Sequence, residues 1–164
     1  HQCREMITRI RNVPKARPDI KGGLQEKGEE TGAYYCSLPS FIDGYRLIRR
    51  MIERNGQSVY LMLCTPTDGN GNPMESGSKL ERMSGELKLA IKRSLRKGDS
   101  YTQYSVNQFL ILLIGTNEEN CSLVSDRITR NFAEEHKYWK NCIEYYVSSV
   151  IDVECGASKI SFRA

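Results

Sequence analysis

SLRKGDSYTQYSVNQFLILL, residues 94–113, is the stretch whose reading decides the fold. Tyr101–Tyr104 and Gln108–Ile114 are rich in β-forming residues, and Ser105, Val106 and Asn107 between them supply a tight turn, so the segment predicts a β-hairpin. Its second strand is the most apolar run in the chain, as suits a strand at the centre of a sheet. Just upstream, Leu80, Met83, Leu87, Ile91 and Leu95 recur at helical spacing, which predicts a helix over Lys79–Lys97. Ser78 and Glu81 stand as a capping box at its start, and Gly98 at its stop.

Further out the same periodicities continue. Ser58–Cys64, SVYLMLC, is short and nearly all apolar, the pattern of a strand buried on both faces. Before it, Phe41, Tyr45, Ile48 and Ile52 mark an amphipathic helix over Pro39–Asn55, with Pro39 in the first turn and Gly56 at the stop. Downstream, Asn120 or Ser122 can cap a third helix bearing Val124, Ile128 and Phe132, and Ile143–Val150 is another β-rich run. The order helix, strand, helix, hairpin, helix, strand predicts an α/β (α+β) fold: a central mixed β-sheet containing a hairpin, flanked by helices.

Composition is that of a globular domain. The 164 residues are 39% hydrophobic and 27% charged, with a formal net charge of +4. That excess falls short of the basic face a nucleic-acid binder shows. The longest uncharged apolar run lies near Phe109–Ile114, far too short to span a bilayer, so no membrane partner is expected. Residues His1–Thr31 hold Pro14, Pro18 and the Gly22–Gly23 pair among many charges and read as a linker from a missing upstream domain, with residues 32–164 as the folded domain. Within the linker Met6, Ile7, Ile10 and Val13 can form one short apolar face. The six cysteines, Cys3, Cys36, Cys64, Cys121, Cys142 and Cys155, stand far apart beside only two histidines, which excludes zinc-ligand spacing and reads as reduced thiols of a cytoplasmic protein.

Reactive constellations are scarce. Asp68, Asn70, Asn72 and Glu75 begin like a calcium loop, but Pro73 stands where glycine is needed and Lys79 where the closing glutamate belongs, so a surface turn is the better reading. His136 lies in a charged segment, AEEHKYWK, where a cation near a helix C-terminus is favourable without any catalytic role. Trp139, Tyr145 and Tyr146 can stack on bases, though clustered aromatics at a helix-to-strand junction are more often core. No metal ligand set and no cofactor motif emerges.

The hairpin segment resembles that of GGDEF domains, the diguanylate cyclase family. In that family an R-x-x-D tetrad lies five residues before the signature turn and an apolar strand follows it. Arg96 and Asp99 hold the tetrad here, and Ser105, Val106, Asn107, Gln108 and Phe109 stand where Gly-Gly-Asp-Glu-Phe would. The resemblance implies a nucleotide-cyclase-like fold. It also implies that the family's acidic metal-binding pair is replaced by two neutral amides, which cannot neutralise magnesium-bound triphosphate charge. Where active cyclases carry an aspartate at the end of the first strand, this chain has Cys64 and Thr65. The family's opening motif is reduced to YCSLPSF, with Leu38 and Pro39 alone matching.

Residues Gly32 to about Val150 also look like the C-terminal GGDEF-like region of bacterial transcription regulators that join a winged helix to a bacterial transcriptional activator domain. That likeness implies a non-enzymatic, cytoplasmic regulatory or interaction module without cofactor. Its partners would be other domains of the same regulator or a second protomer, with DNA reached only through a missing N-terminal domain. A cyclic dinucleotide receptor using Arg96 and Asp99 is the alternative, weakened by the lack of a second basic residue placed beside the tetrad. An active cyclase is the least expected of the three.

Overall fold

The computed structural model describes residues 32–154. The linker reading of residues 1–31, its apolar face, and Cys3 and Cys155 lie outside them. The elements are β1 (Tyr34–Tyr35), α1 (Leu38–Asn55), β2 (Val59–Pro66), α2 (Ser78–Ser94), β3 (Ser100–Ser105), β4 (Gln108–Ile114), α3 (Glu118–Phe132), a 3-10 turn (Lys137–Asn141), β5 (Ile143–Ser149) and α4 (Val150–Glu154). The strands form one five-stranded sheet in the order β1-β3-β4-β2-β5. β1 runs parallel to β3 and the other neighbours are antiparallel, so the sheet is mixed, as the element order implied.

The hairpin supplies the middle of the sheet. Along β2 and β4 the side chains alternate between two cores, because successive residues of a strand point to opposite faces. Met62, Cys64, Phe109, Ile111 and Leu113 meet Met83, Leu87 and Ile91 of α2 and Ile128 and Phe132 of α3. Leu61, Leu63, Leu110 and Leu112 meet Phe41, Tyr45 and Ile52 of α1. Both faces are therefore covered by helices, which is why β2 and β4 read as unbroken apolar runs.

Helix ends depart from the sequence reading in three places. Ser78 does not cap α2: the N-cap is Gly77, with no side-chain bond, and Ser78 is already helical. α2 stops at Ser94 and not Lys97, since the Arg96 N–H is taken by the Asp99 carboxylate at 2.9 Å, which turns the chain toward β3. α3 is capped by neither Asn120 nor Ser122. Asn117 is the cap, its side-chain oxygen accepting from the Asn120 N–H at 2.8 Å. By contrast α1 is framed as expected, with Pro39 in its first turn and Gly56 left-handed at φ 65° beyond its end. Strand β5 ends at Ser149, and the fully buried Val150 turns into α4 to join the α1 side of the core. Among the described residues no helix is long and apolar enough to cross a membrane. Cys36, Cys64, Cys121 and Cys142 are free and buried, with burial holding each thiol above its ordinary pKa.

Candidate functional site

The turn between β3 and β4 gathers three of the five signature-position residues, Ser105, Asn107 and Gln108, into a polar cluster, exposes Val106 and hides Phe109. Phe109 is buried in the core beneath the sheet. Val106 stands 71% exposed at the tip. The Ser105 hydroxyl lies 3.0 Å from both Asn107 Oδ1 and Gln108 Oε1 and can donate to either. The Gln108 Nε2 donates across to Thr65 Oγ1 on β2 at 3.1 Å. The register explains this meeting: Cys64 pairs with Phe109, so the next residue on β2 comes beside the residue before Phe109 on β4. Of the two positions on β2 considered from sequence, Thr65 belongs to the cluster. Cys64 is fully buried on the opposite face, its thiol pushed far up by desolvation.

Sequence reasoning missed Glu144. It pairs with Thr65 across β5 and so shares its face of the sheet. Its Oε1 leans toward the loop after β2, 3.5 Å from where a Cβ on Gly71 would stand. Only the β2–β5 register, a long-range pairing, brings it there. Among the described residues no group of three or more His, Cys, Asp or Glu side chains converges as a metal site would require.

Arg96 and Asp99 form a closed turn at the opposite end of β3. The Arg96 N–H donates to Asp99 Oδ2, and the Asp99 N–H donates back to the Arg96 carbonyl at 3.0 Å. The Asp99 carbonyl receives the Tyr34 N–H at 3.0 Å, tying the turn to β1. The two side chains differ in exposure: Arg96 is exposed while Asp99 is only 8% so. Burial raises the Asp99 carboxyl above its ordinary range, opposed by the Arg96 N–H and the charges of Arg96 and Arg127. Together with Asn120 and Gly115 these three residues line a pocket of about 110 Å³. A second basic residue therefore does stand beside the tetrad, contrary to the sequence reading. Arg127 lies thirty-one positions away in the chain and arrives on α3.

The remaining candidates are structural. The Asp68 carboxylate is spent on its own loop, accepting from the Asn70 N–H at 2.7 Å and the Asn72 N–H at 3.2 Å, bonds that lower its pKa. His136 is not at a helix C-terminus, since α3 has already ended at Phe132. Its ring stacks on Trp139 at 4.2 Å, and Nε2 lies 3.3 Å from an Arg82 guanidinium nitrogen. Trp139 is buried against Phe132, and the Tyr145 hydroxyl bonds Thr129 at 2.8 Å, so these rings belong to the core and not to a stacking platform.

No family model and no curated protein matches the sequence. Solved structures do. A DGC protein from Thermotoga maritima is similar at 17% identity and TM-score 0.54, covering 73% of this chain and 81% of its own. Diguanylate cyclase SiaD from Pseudomonas aeruginosa, solved in complex with its activator SiaC, is similar at 14% identity and TM-score 0.56, over 99% of this chain and 72% of its own. The GGDEF domain of DgcB from Caulobacter crescentus, solved in complex with c-di-GMP, is similar at 11% identity and TM-score 0.52, over 76% of this chain and 78% of its own. The fold of residues 32–154 is thus the GGDEF fold of diguanylate cyclases.

Proposed function

We propose that this chain is a catalytically inert GGDEF-fold module, acting as a regulatory or interaction domain of a cytoplasmic bacterial transcription regulator. The observation that carries the inert part is the bond between Gln108 and Thr65: two neutral side chains satisfy each other where a cyclase of this fold would hold metal-bound triphosphate. Glu144 is one carboxylate where charge neutralisation of a magnesium triphosphate calls for a set. An interaction role is in keeping with the SiaD neighbour, a domain of the same fold solved with a protein partner. The test of the regulator part is the full reading frame that encodes this chain. A winged helix encoded upstream supports it, and a frame with no DNA-binding domain refutes it.

A second reading, a cyclic dinucleotide receptor, is favoured by one observation: Arg127 joins Arg96 and Asp99 around a single pocket. Two guanidiniums can grip phosphate or stack on guanine while a carboxylate accepts from a guanine edge. Calorimetric titration with cyclic di-GMP should give micromolar affinity, about 8 kcal/mol, abolished in Arg96→Ala and in Arg127→Ala. An absence of heat from the unaltered protein would eliminate this reading and leave the first intact.

A further inference from the structure

A second, larger hollow shares Arg127 and Leu123 with the Arg96 pocket. It has a volume of about 830 Å³, and its lining includes Leu123, Arg127, Arg130, Ala133, Lys137 and Lys140. Four cations thus face one groove, against Asp126 as the single carboxylate in its lining among the described residues. This is not a reflection of overall charge. Residues 32–154 carry as many acidic as basic side chains, and the excess of the full chain comes from outside them. The next carboxylate along the chain, Glu134, faces Arg93 at 4.0 Å. Arg127 Nε is buried and donates to no atom of the described residues. The groove is also partly apolar, with Leu123 62% exposed beside the aliphatic stems of its cations.

We propose that this groove, independently of the reading of the Arg96 pocket, docks an acidic segment of a partner protein that carries at least one apolar side chain. From Leu123 to Ala133 the helix runs about 15 Å, at 1.5 Å per residue, the length of roughly five extended peptide residues at ~3.3 Å each. Carboxylates along such a segment and its flanks would meet Arg127, Arg130, Lys137 and Lys140, and a leucine or phenylalanine between them would cover Leu123. A nucleic acid would find Leu123, Ala133 and Asp126 in the path of its phosphates, and a lipid surface would need a projecting face and not a hollow.

The experiment uses the whole chain and a fluorescein-labelled peptide of repeating Glu-Glu-Leu units twelve residues long, followed by anisotropy at low salt. Binding in the micromolar range is expected, weakened at least tenfold by the double substitution Arg130→Glu with Lys140→Glu and several-fold by Leu123→Ser. All three positions are exposed, so circular dichroism should report an unchanged fold. Arg127 and Leu123 both line the smaller pocket as well, so Arg127→Ala is kept out of this test and Leu123→Ser is read beside Arg96→Ala, which touches the smaller pocket alone and should leave peptide affinity unchanged. The proposal is overturned if the peptide does not bind, if a leucine-free peptide of equal charge binds equally well, or if the substitutions leave affinity unchanged. Tighter binding of a single-stranded oligonucleotide or of phosphatidylglycerol vesicles would also overturn it.

Discussion

Gln108 and Thr65, forty-three residues apart in sequence, are joined by a hydrogen bond of 3.1 Å that crosses from β4 to β2 at the lip of the sheet. The bond places one amide proton of Gln108 on the Thr65 hydroxyl oxygen, and Ser105 on β3 reaches the same Gln108 through Oε1, so neutral side chains of the turn bond to one another.

Restoring one acid should change little. Gln108→Glu places one carboxylate near Glu144 but leaves Thr65 neutral and keeps β-branched Val106 at the turn, where close backbone approach is needed. Thr65→Asp has the converse defect. Both single variants should remain without cyclic di-GMP synthesis in magnesium, as read by chromatography of the products. Turnover in either one would show that the missing charge was the sole obstacle.

Leu112 is 1% exposed and pairs with Leu61 in the core beneath α1. Leu112→Asp would bury an unpaired carboxylate at a cost of several kcal/mol, comparable to the whole stability of a small domain at about 5–15 kcal/mol. The variant should lose its cooperative thermal transition. A soluble protein with an unchanged melting temperature would show that the strand is not where the sheet places it.

Much of this was legible in the sequence because it rests on period and composition. The continuous apolar run along Gln108–Ile114 and the helical spacing from Phe41 to Ile52 each mark an element without any knowledge of its neighbours. What failed was local competition at the ends. Three side chains near α3 could each have capped it, and only the path out of β4 selects Asn117. The two-residue β1 has no periodicity to detect, since it exists through the Tyr34 bond to Asp99 and its pairing with β3. At the candidate sites the short-range parts, the Arg96–Asp99 turn and the Ser105–Phe109 hairpin, were visible. Arg127 and Glu144 were not, because helix packing and strand register deliver them from afar.

The cap assignment makes its own prediction. Asn117→Ala should cost about 1 kcal/mol, read as a lowered urea midpoint. Asn120→Ala, which removes a side chain whose backbone N–H does the bonding, should stay within about 0.5 kcal/mol of the parent. Reversal of that order would reinstate Asn120 as the cap.

Asp99 gives the pH dependence a sign. Burial keeps its carboxyl protonated to higher pH in the folded state than in the unfolded chain. Between those two values the folded protein binds more protons, so its stability falls as pH rises. The fall begins near the ordinary aspartate value of ~3.9 and ends once folded Asp99 has ionised. Asp99→Asn keeps a side-chain oxygen for the Arg96 N–H but cannot titrate. The stability of the parent relative to this variant should therefore decline with rising pH through that window and then level off. Denaturant midpoints taken from about pH 3.5 to 7 measure it, and a difference that grows with pH would contradict the burial of Asp99.

The most direct test of the inert reading is nucleotide turnover by the purified chain. Incubated at high enzyme concentration with GTP and excess magnesium, and with manganese in parallel, it should yield no cyclic di-GMP above a heat-denatured control by mass spectrometry. Product that accumulates linearly with enzyme concentration would contradict the account, since it would mean that Ser105, Asn107, Gln108 and Thr65 support the chemistry that their neutrality is argued to forbid.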